Sequence, residues 1–297
     1  MTIDNRPKVV SPKDVETTLN YCVPHGPIPL VKYITEPPEG TPWMNFDIVS
    51  YPVTIHDVRS TPLETGASLD TQAFQFLGAP CKEREFLDEA EFAKEGGYYD
   101  QVKELVVKNV GGAKKVVVFD HTLRRLAEEP KGDRGVERGP LLRVHVDQTE
   151  DSALRRVHKH LPEDEANRLL SLPNQRVRIV NVWRPIENVV AHNPLAVADW
   201  RSVKHARDLI VTRKILQPGK GEGGTYNVRY NEEHKWYYMR DMTPDEVVLL
   251  KCSDTQGVDE GGIAKMCLHT AFKDETSDPE APRRQSIEVR CLVFDQE

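Results

Sequence analysis

From residue 141 to residue 294 the chain is a succession of short β-type runs, and this constrains its fold more than any other feature. Strands are expected over 141–149, 176–186, 209–216, 226–230, 235–239, 247–252, 266–272 and 286–294. Only two helical stretches interrupt them, over 151–161 and 164–170. A parallel α/β fold needs helices in regular alternation with strands, and the sequence lacks that alternation. Many strands, few helices and long connections predict a mainly β fold with added helices, a β-sandwich or jelly roll.

The first half adds less. Residues 46–59 and 115–121 read as β, and Val102, Leu105, Val106 and Val110 have helical spacing over 98–110. Before them, Pro24, Pro27, Pro29, Pro37, Pro38 and Pro42 predict an extended arm that lies over the body rather than in its core. The expected division is an arm over 1–45 and one domain over 46–297.

A formal charge of -7 on 297 residues argues against a sequence-independent nucleic-acid binder, which needs a basic surface. The polar N-terminus shows no secretory segment, and no apolar run has the length of a membrane span. The five cysteines lack CxxC spacing, so neither a disulfide framework nor a zinc knuckle is indicated and a reducing, cytoplasmic setting is expected. Nothing in the sequence sets an oligomeric state.

The stretch Leu141-Leu142-Arg143-Val144-His145-Val146-Asp147-Gln148-Thr149 carries the chemistry. Side chains alternate along a strand, so Arg143, His145 and Asp147 share one face. An imidazole and a carboxylate two residues apart can grip one metal ion, and His269, inside the apolar run 266–272, is the best third ligand. Two histidines and a carboxylate leave about three coordination positions open. Zinc hydrolases use the same ligands, so the ligand types alone do not choose the metal.

Fifteen residues after His269 comes Arg284-Gln285-Ser286-Ile287-Glu288-Val289-Arg290, in which Arg284 and Ser286 share a strand face. A guanidinium fork and a hydroxyl suit a carboxylate. A dicarboxylate that chelates a metal at its keto-acid end needs such an anchor for its far end. Arg283 and Arg290 lie close enough in sequence to be rival anchors. In a strongly β segment, Asn181 and Trp183 share a face, where a buried Asn can hydrogen-bond a cosubstrate or simply be satisfied by backbone.

The chain resembles the 2-oxoglutarate/Fe(II) oxygenases, and within them the CmcJ-type, gibberellin-desaturase-like oxidoreductases of bacterial and fungal secondary metabolism. The matching stretches are 144–149, 181–186, 234–238, 268–272 and 284–290. The resemblance implies a double-stranded β-helix of the jelly-roll, cupin-like kind, with Fe(II) at His145, Asp147 and His269. It implies 2-oxoglutarate held at Arg284 and Ser286; Arg290, as a rival anchor, and Asn181, as a buried amide, are the other candidate contacts. Dioxygen and a small-molecule substrate would complete the set, for hydroxylation, desaturation or cyclisation by C–H abstraction. The alternatives are an iron oxidase of the same fold that dispenses with 2-oxoglutarate, and a catalytically silent jelly-roll binding protein.

Other candidates have plainer readings. Asp120 and His121 are adjacent in a strand and point to opposite faces, and His158 and His160 do not share a helix face. Trp236, Tyr237 and Tyr238 read as sheet packing before pocket lining. Cys252 and Cys267 read as inert packing, and the loop 257–262 lacks the Lys-Ser/Thr of a phosphate loop.

Overall fold

A computed structural model describes residues 13–26, 29–125, 139–215, 222–259 and 261–297. The strands in chain order are β1 (Val15–Pro24), β2 (Leu30–Tyr33), β3 (Phe46–Asp57), β4 (Phe74–Gly78), β5 (Lys115–Arg124), β6 (His145–Val146) and β7 (Val177–Pro185). They continue as β8 (Leu195–Ala198), β9 (Leu209–Ile215), β10 (Glu222–Val228), β11 (Trp236–Tyr238), β12 (Glu246–Asp254), β13 (His269–Ala271) and β14 (Ser286–Phe294). The α-helices are α1 (Pro62–Gly66), α2 (Glu89–Ala93), α3 (Tyr98–Asn109), α4 (Glu150–His160), α5 (Glu163–Ser171) and α6 (His205–Asp208).

These strands build two sheets, ordered β1-β3-β11-β8-β13-β6-β10-β9-β2 and β4-β12-β7-β14-β5. From β5 to β8 the chain alternates between the sheets, and from β11 to β14 it alternates again. The four-strand ladder β5-β14-β7-β12 is thus matched by the ladder β6-β13-β8-β11, which is a double-stranded β-helix. The hairpin β9–β10, inserted between β8 and β11, extends the larger sheet beyond β6.

Alternation along β7 and β14 sorts the core. Ile179 and Trp183 join the cluster between the sheets, whereas Val180 and Val182 face the other way, where α3 contributes Tyr98, Val102 and Val106. In β14, Leu292 and Phe294 face inward and Ile287, Val289 and Val293 face the helix. By the same alternation Ser286, Glu288 and Arg290 also face inward. The interior is therefore apolar at one end and polar at the other. The polar end holds the site.

The expected helices appear as α3, α4 and α5, with Thr149 capping α4 through its side chain. The strand expected over 141–149 shrinks to His145–Val146 because its earlier residues bond elsewhere. Val144 N donates to Asn20 O at 2.9 Å, and Leu141 O accepts from Ala271 N at 2.9 Å. The described part of the Pro-rich stretch is extended, but it is not merely draped. β1 pairs with β3 over its whole length, and Leu19 and Tyr21 are buried in the core. Among the described residues no helix is long and apolar enough to cross a membrane.

Candidate active site

His145 and His269 are direct partners across β6 and β13, so their rings leave adjacent strands on the same face, with centroids 4.3 Å apart. Asp147 follows β6 at once. Its Oδ1 lies 3.4 Å from His145 Nε2 and 3.9 Å from His269 Nε2. Ligands about 2.0–2.2 Å from a common ion stand about 3 Å apart across a right angle, so this spacing suits one metal ion.

Backbone carbonyls fix which nitrogen each imidazole offers. His145 Nδ1 faces Arg143 O at 2.8 Å, and His269 Nδ1 faces Cys267 O at 3.1 Å. A carbonyl only accepts, so each Nδ1 carries the proton and each Nε2 presents its lone pair to the common point. Burial, and then the neighbouring His269, push His145 down to about 4. At neutral pH it is the neutral ligand form.

Asp147 divides its oxygens. Oδ1 faces the histidines, while Oδ2 accepts from Asn181 Nδ2 at 2.9 Å and Arg290 Nε at 3.3 Å. Asn181 also donates to Glu288 Oε1 at 2.6 Å, and Arg290 reaches Glu288 Oε2 at 2.9 Å, Asp120 Oδ2 at 3.1 Å and Thr122 Oγ1 at 2.8 Å. Burial raises the Asp147 carboxyl, but Arg290 and the two histidines outweigh it and hold the group well below the usual carboxylate range.

The three rival arginines separate by environment. Arg283 is exposed. Arg290 is engaged with carboxylates as described. Arg284, 2% exposed, lies over the Trp183 ring at 5.5 Å and donates Nη1 to Asn193 O at 2.7 Å. No carboxylate pairs with it among the described residues, its Nε has no partner, and neither does the buried hydroxyl of Ser286. Burial pushes Arg284 down to about 9. A buried guanidinium without a carboxylate and a buried hydroxyl without a partner are the kind of groups that an anion can satisfy.

The three candidate ligands and Arg284 line one cavity of about 350 Å³. A larger groove of about 960 Å³ runs past Pro52, Tyr230 and Tyr237 and holds none of the four. Glu150, His205 and Asp259 also cluster, but Lys265 ion-pairs with both carboxylates there, at 2.8 Å from Asp259. That group is an ion-pair network.

Trp236 and Tyr238 are fully buried packing, away from the cavity. Burial pushes the Cys252 and Cys267 thiols up, as inert packing requires. Asp120 reaches Arg290 while His121 faces Tyr99 Oη at 2.7 Å, on opposite sides of β5. On α4, His160 packs at 5.0 Å against Phe119. Sequence reasoning passed over Glu288, Arg143, Arg156 and Lys214 in the cavity wall. For Arg143 a signal was present, since it shares a strand face with His145.

A protein-family profile described as "Oxidoreductase/YMDC permease-like domain" matches residues 19–294. The chain is 36% identical to a hydroxylase/desaturase, efuI, of Hormonema carpetanum, covering 94% of this chain and 95% of that one. It is 33% identical to the Fe(II)/2-oxoglutarate-dependent dioxygenase nvfI of Aspergillus novofumigatus, covering 88% and 90%. A solved structure of the iron and alpha-ketoglutarate-dependent endoperoxidase NvfI superimposes with a TM-score of 0.80 at 31% identity, covering 95% of this chain and 98% of that one. The fold, the metal-competent triad and these relatives agree: the chain belongs to the Fe(II)/2-oxoglutarate-dependent dioxygenases and hydroxylase/desaturases of secondary metabolism.

Proposed function

We propose that His145, Asp147 and His269 hold the Fe(II), that Arg284 and Ser286 anchor 2-oxoglutarate, and that the enzyme oxidises an unactivated C–H bond of a small secondary-metabolite-like substrate. One observation carries the reading. Ligand atoms of the three residues lie within 4.8 Å of one another, in the same cavity as Arg284, whose buried Nε has no partner among the described residues.

When bound, iron, 2-oxoglutarate and dioxygen supply the oxidising power, with release of succinate and carbon dioxide. The protein's own residues bind, orient and exclude. The carbonyls of Arg143 and Cys267 keep both imidazoles in the ligating tautomer. Asn181 and Arg290, candidate cosubstrate contacts from the sequence, have donors on Asp147 and Glu288, which supports a positioning role behind the metal ligand. The planar fork of Arg284 suits the distal carboxylate, with the Ser286 hydroxyl beside it. Trp183, Leu195 and Leu250 give the cavity an apolar wall against water.

We further propose that residues 46–297 form the catalytic domain and residues 1–45 an N-terminal arm, whose described strands β1 and β2 are the two edges of the larger sheet. Five free cysteines support a reducing, cytoplasmic setting.

The test pairs two variants. Asp147→Ala is expected to lose iron binding with the circular dichroism spectrum retained, because the triad has no spare ligand. Arg284→Lys is expected to keep iron and weaken 2-oxoglutarate about ten- to hundred-fold, since a hydrogen bond to a charged group contributes about 1.5–3 kcal/mol. Full iron occupancy in Asp147→Ala, or no keto-acid binding by the parent, overturns the assignment.

A further inference from the structure

We propose that the cavity contains a second anion subsite, formed by Arg143 and Lys214, and that the substrate oxidised there carries a carboxylate. This rests on reading Arg284 as the 2-oxoglutarate anchor.

Both residues line the cavity with His145 and Asp147. Arg143 precedes His145 by two positions, and its guanidinium lies 5.9 Å from the Phe46 ring centre. Its Nε is buried and without a partner. Lys214 stands on β9 opposite Gly223 of β10, its stem in ordinary contact with the position where a β-carbon would be. Neither cationic head makes a hydrogen bond or ion pair with a described residue.

Elsewhere this protein does not leave such cations alone. Arg59, Arg176, Arg178, Lys251 and Arg290 are each well buried, and each meets a carboxylate. Arg184, buried without a carboxylate, gives its donors to Tyr98 Oη, Ala79 O and Pro244 O, whereas among the described residues Arg143 and Lys214 have no such acceptor for their cationic heads. A third cation, Lys32, is in register with Lys214 across β2 and β9. Burial, helped by Arg143 and Lys32 and opposed by the Asp147 carboxylate, pushes Lys214 down to about 8, and burial and Arg143 push Lys32 down. The nearby carboxylate of Asp147 is committed to Arg290 and Asn181.

Desolvated like charges with no counter-ion are unfavourable unless a ligand supplies the opposite charge. A guanidinium fork beside an ammonium suits one carboxylate. A monoanion also limits the negative charge in a cavity already walled by Asp147 and Glu288 and entered by a dicarboxylate.

The experiment is calorimetric titration of 1-naphthoate into the parent loaded with Mn(II) and saturating 2-oxoglutarate, with neutral 1-naphthylmethanol as the control. The expected result is naphthoate binding at least about tenfold tighter than the alcohol, with Lys214→Met and Arg143→Met each removing about tenfold. Lys214→Met is expected to keep or raise Tm, because it deletes an unpaired charge, and to bind 2-oxoglutarate within about twofold of the parent. Equal binding of acid and alcohol, no naphthoate binding, or unchanged naphthoate binding in both variants overturns the subsite. If both variants instead weaken 2-oxoglutarate as Arg284→Lys does, the two cations belong to the cosubstrate and the subsite is withdrawn. Failure of the parent to bind 2-oxoglutarate overturns the oxygenase reading instead, and naphthoate titration of the metal-free protein then still decides whether the pair captures a carboxylate.

Discussion

Replacing Arg290 by Gln tests how the triad is held. The guanidinium touches Asp147 at 3.3 Å, Glu288 at 2.9 Å and Asp120 at 3.1 Å. Without it, Asp147 and Glu288 face the single Asn181 amide with no cation between them. Removing one partner of a buried ion pair costs about 3–5 kcal/mol. The Asp120 contact is half exposed and contributes little of this, so the loss falls on the inner two. Loss of a group that orients a metal ligand typically lowers metal affinity about 10–100-fold. The assay is a pair of measurements on each variant, Mn(II) affinity by calorimetry and Tm by scanning calorimetry. Arg290→Gln is expected to lower both, and Arg290→Lys to recover part of the stability and less of the affinity, because an ammonium cannot reach both carboxylates in one plane. Asp120→Asn, which touches Arg290 but not Asp147, is expected to leave the metal affinity within about twofold. If Arg290→Gln binds Mn(II) as the parent does, Asp147 holds its orientation unaided and the positioning argument fails.

Two further outcomes concern stability. Tyr21 Oη accepts from Trp236 Nε1 at 2.9 Å in a fully buried setting, so Tyr21→Phe is expected to lower stability by about 1–3 kcal/mol in urea unfolding; an unchanged midpoint refutes this. Burial raises the Asp70 carboxyl, but Arg176 and Lys251 outweigh it and hold it at about 2. The stabilisation from that depressed group is present above its ordinary value of 3.8 and fades as pH falls toward 2, so Asp70→Asn is expected to flatten the loss of stability across that window. Parallel parent and variant curves there count against it.

The triad was legible because its evidence is local. Strand alternation places His145 and Asp147 on one face, and an apolar run around a lone histidine marks His269. The sequence leaves three arginines as candidate anchors, and what separates them in the fold is exposure for Arg283 and carboxylate partners for Arg290, properties that the similar local composition around Arg284 and Arg290 does not encode. The strands missed were those whose neighbours hide them. β1 lies beside a Pro-rich stretch that suggests an irregular arm, and β8 is only Leu195–Ala198. Lys214 escaped notice for another reason. That no described residue pairs with its ammonium follows from what the other strands fail to bring near it, and no single segment encodes that.

β6 is two residues long and meets β13 through one residue pair. With β10 it shares two more pairs, Val146 with Tyr226 and His145 with Asn227, so few ladder bonds hold its register and a one-residue slip would exchange the faces of His145 and Val146. The position is pinned from a distance. Asn20, on β1, accepts the Val144 amide proton at 2.9 Å and gives its own side-chain amide to Leu142 O at 2.7 Å. β1 is therefore a latch on the strand that carries His145, more than a hundred residues away in sequence. Asn20→Ala, which spares every candidate ligand and the buried residues of β1, would still loosen the strand that carries His145, and its first symptom would be weaker metal binding in a protein that folds.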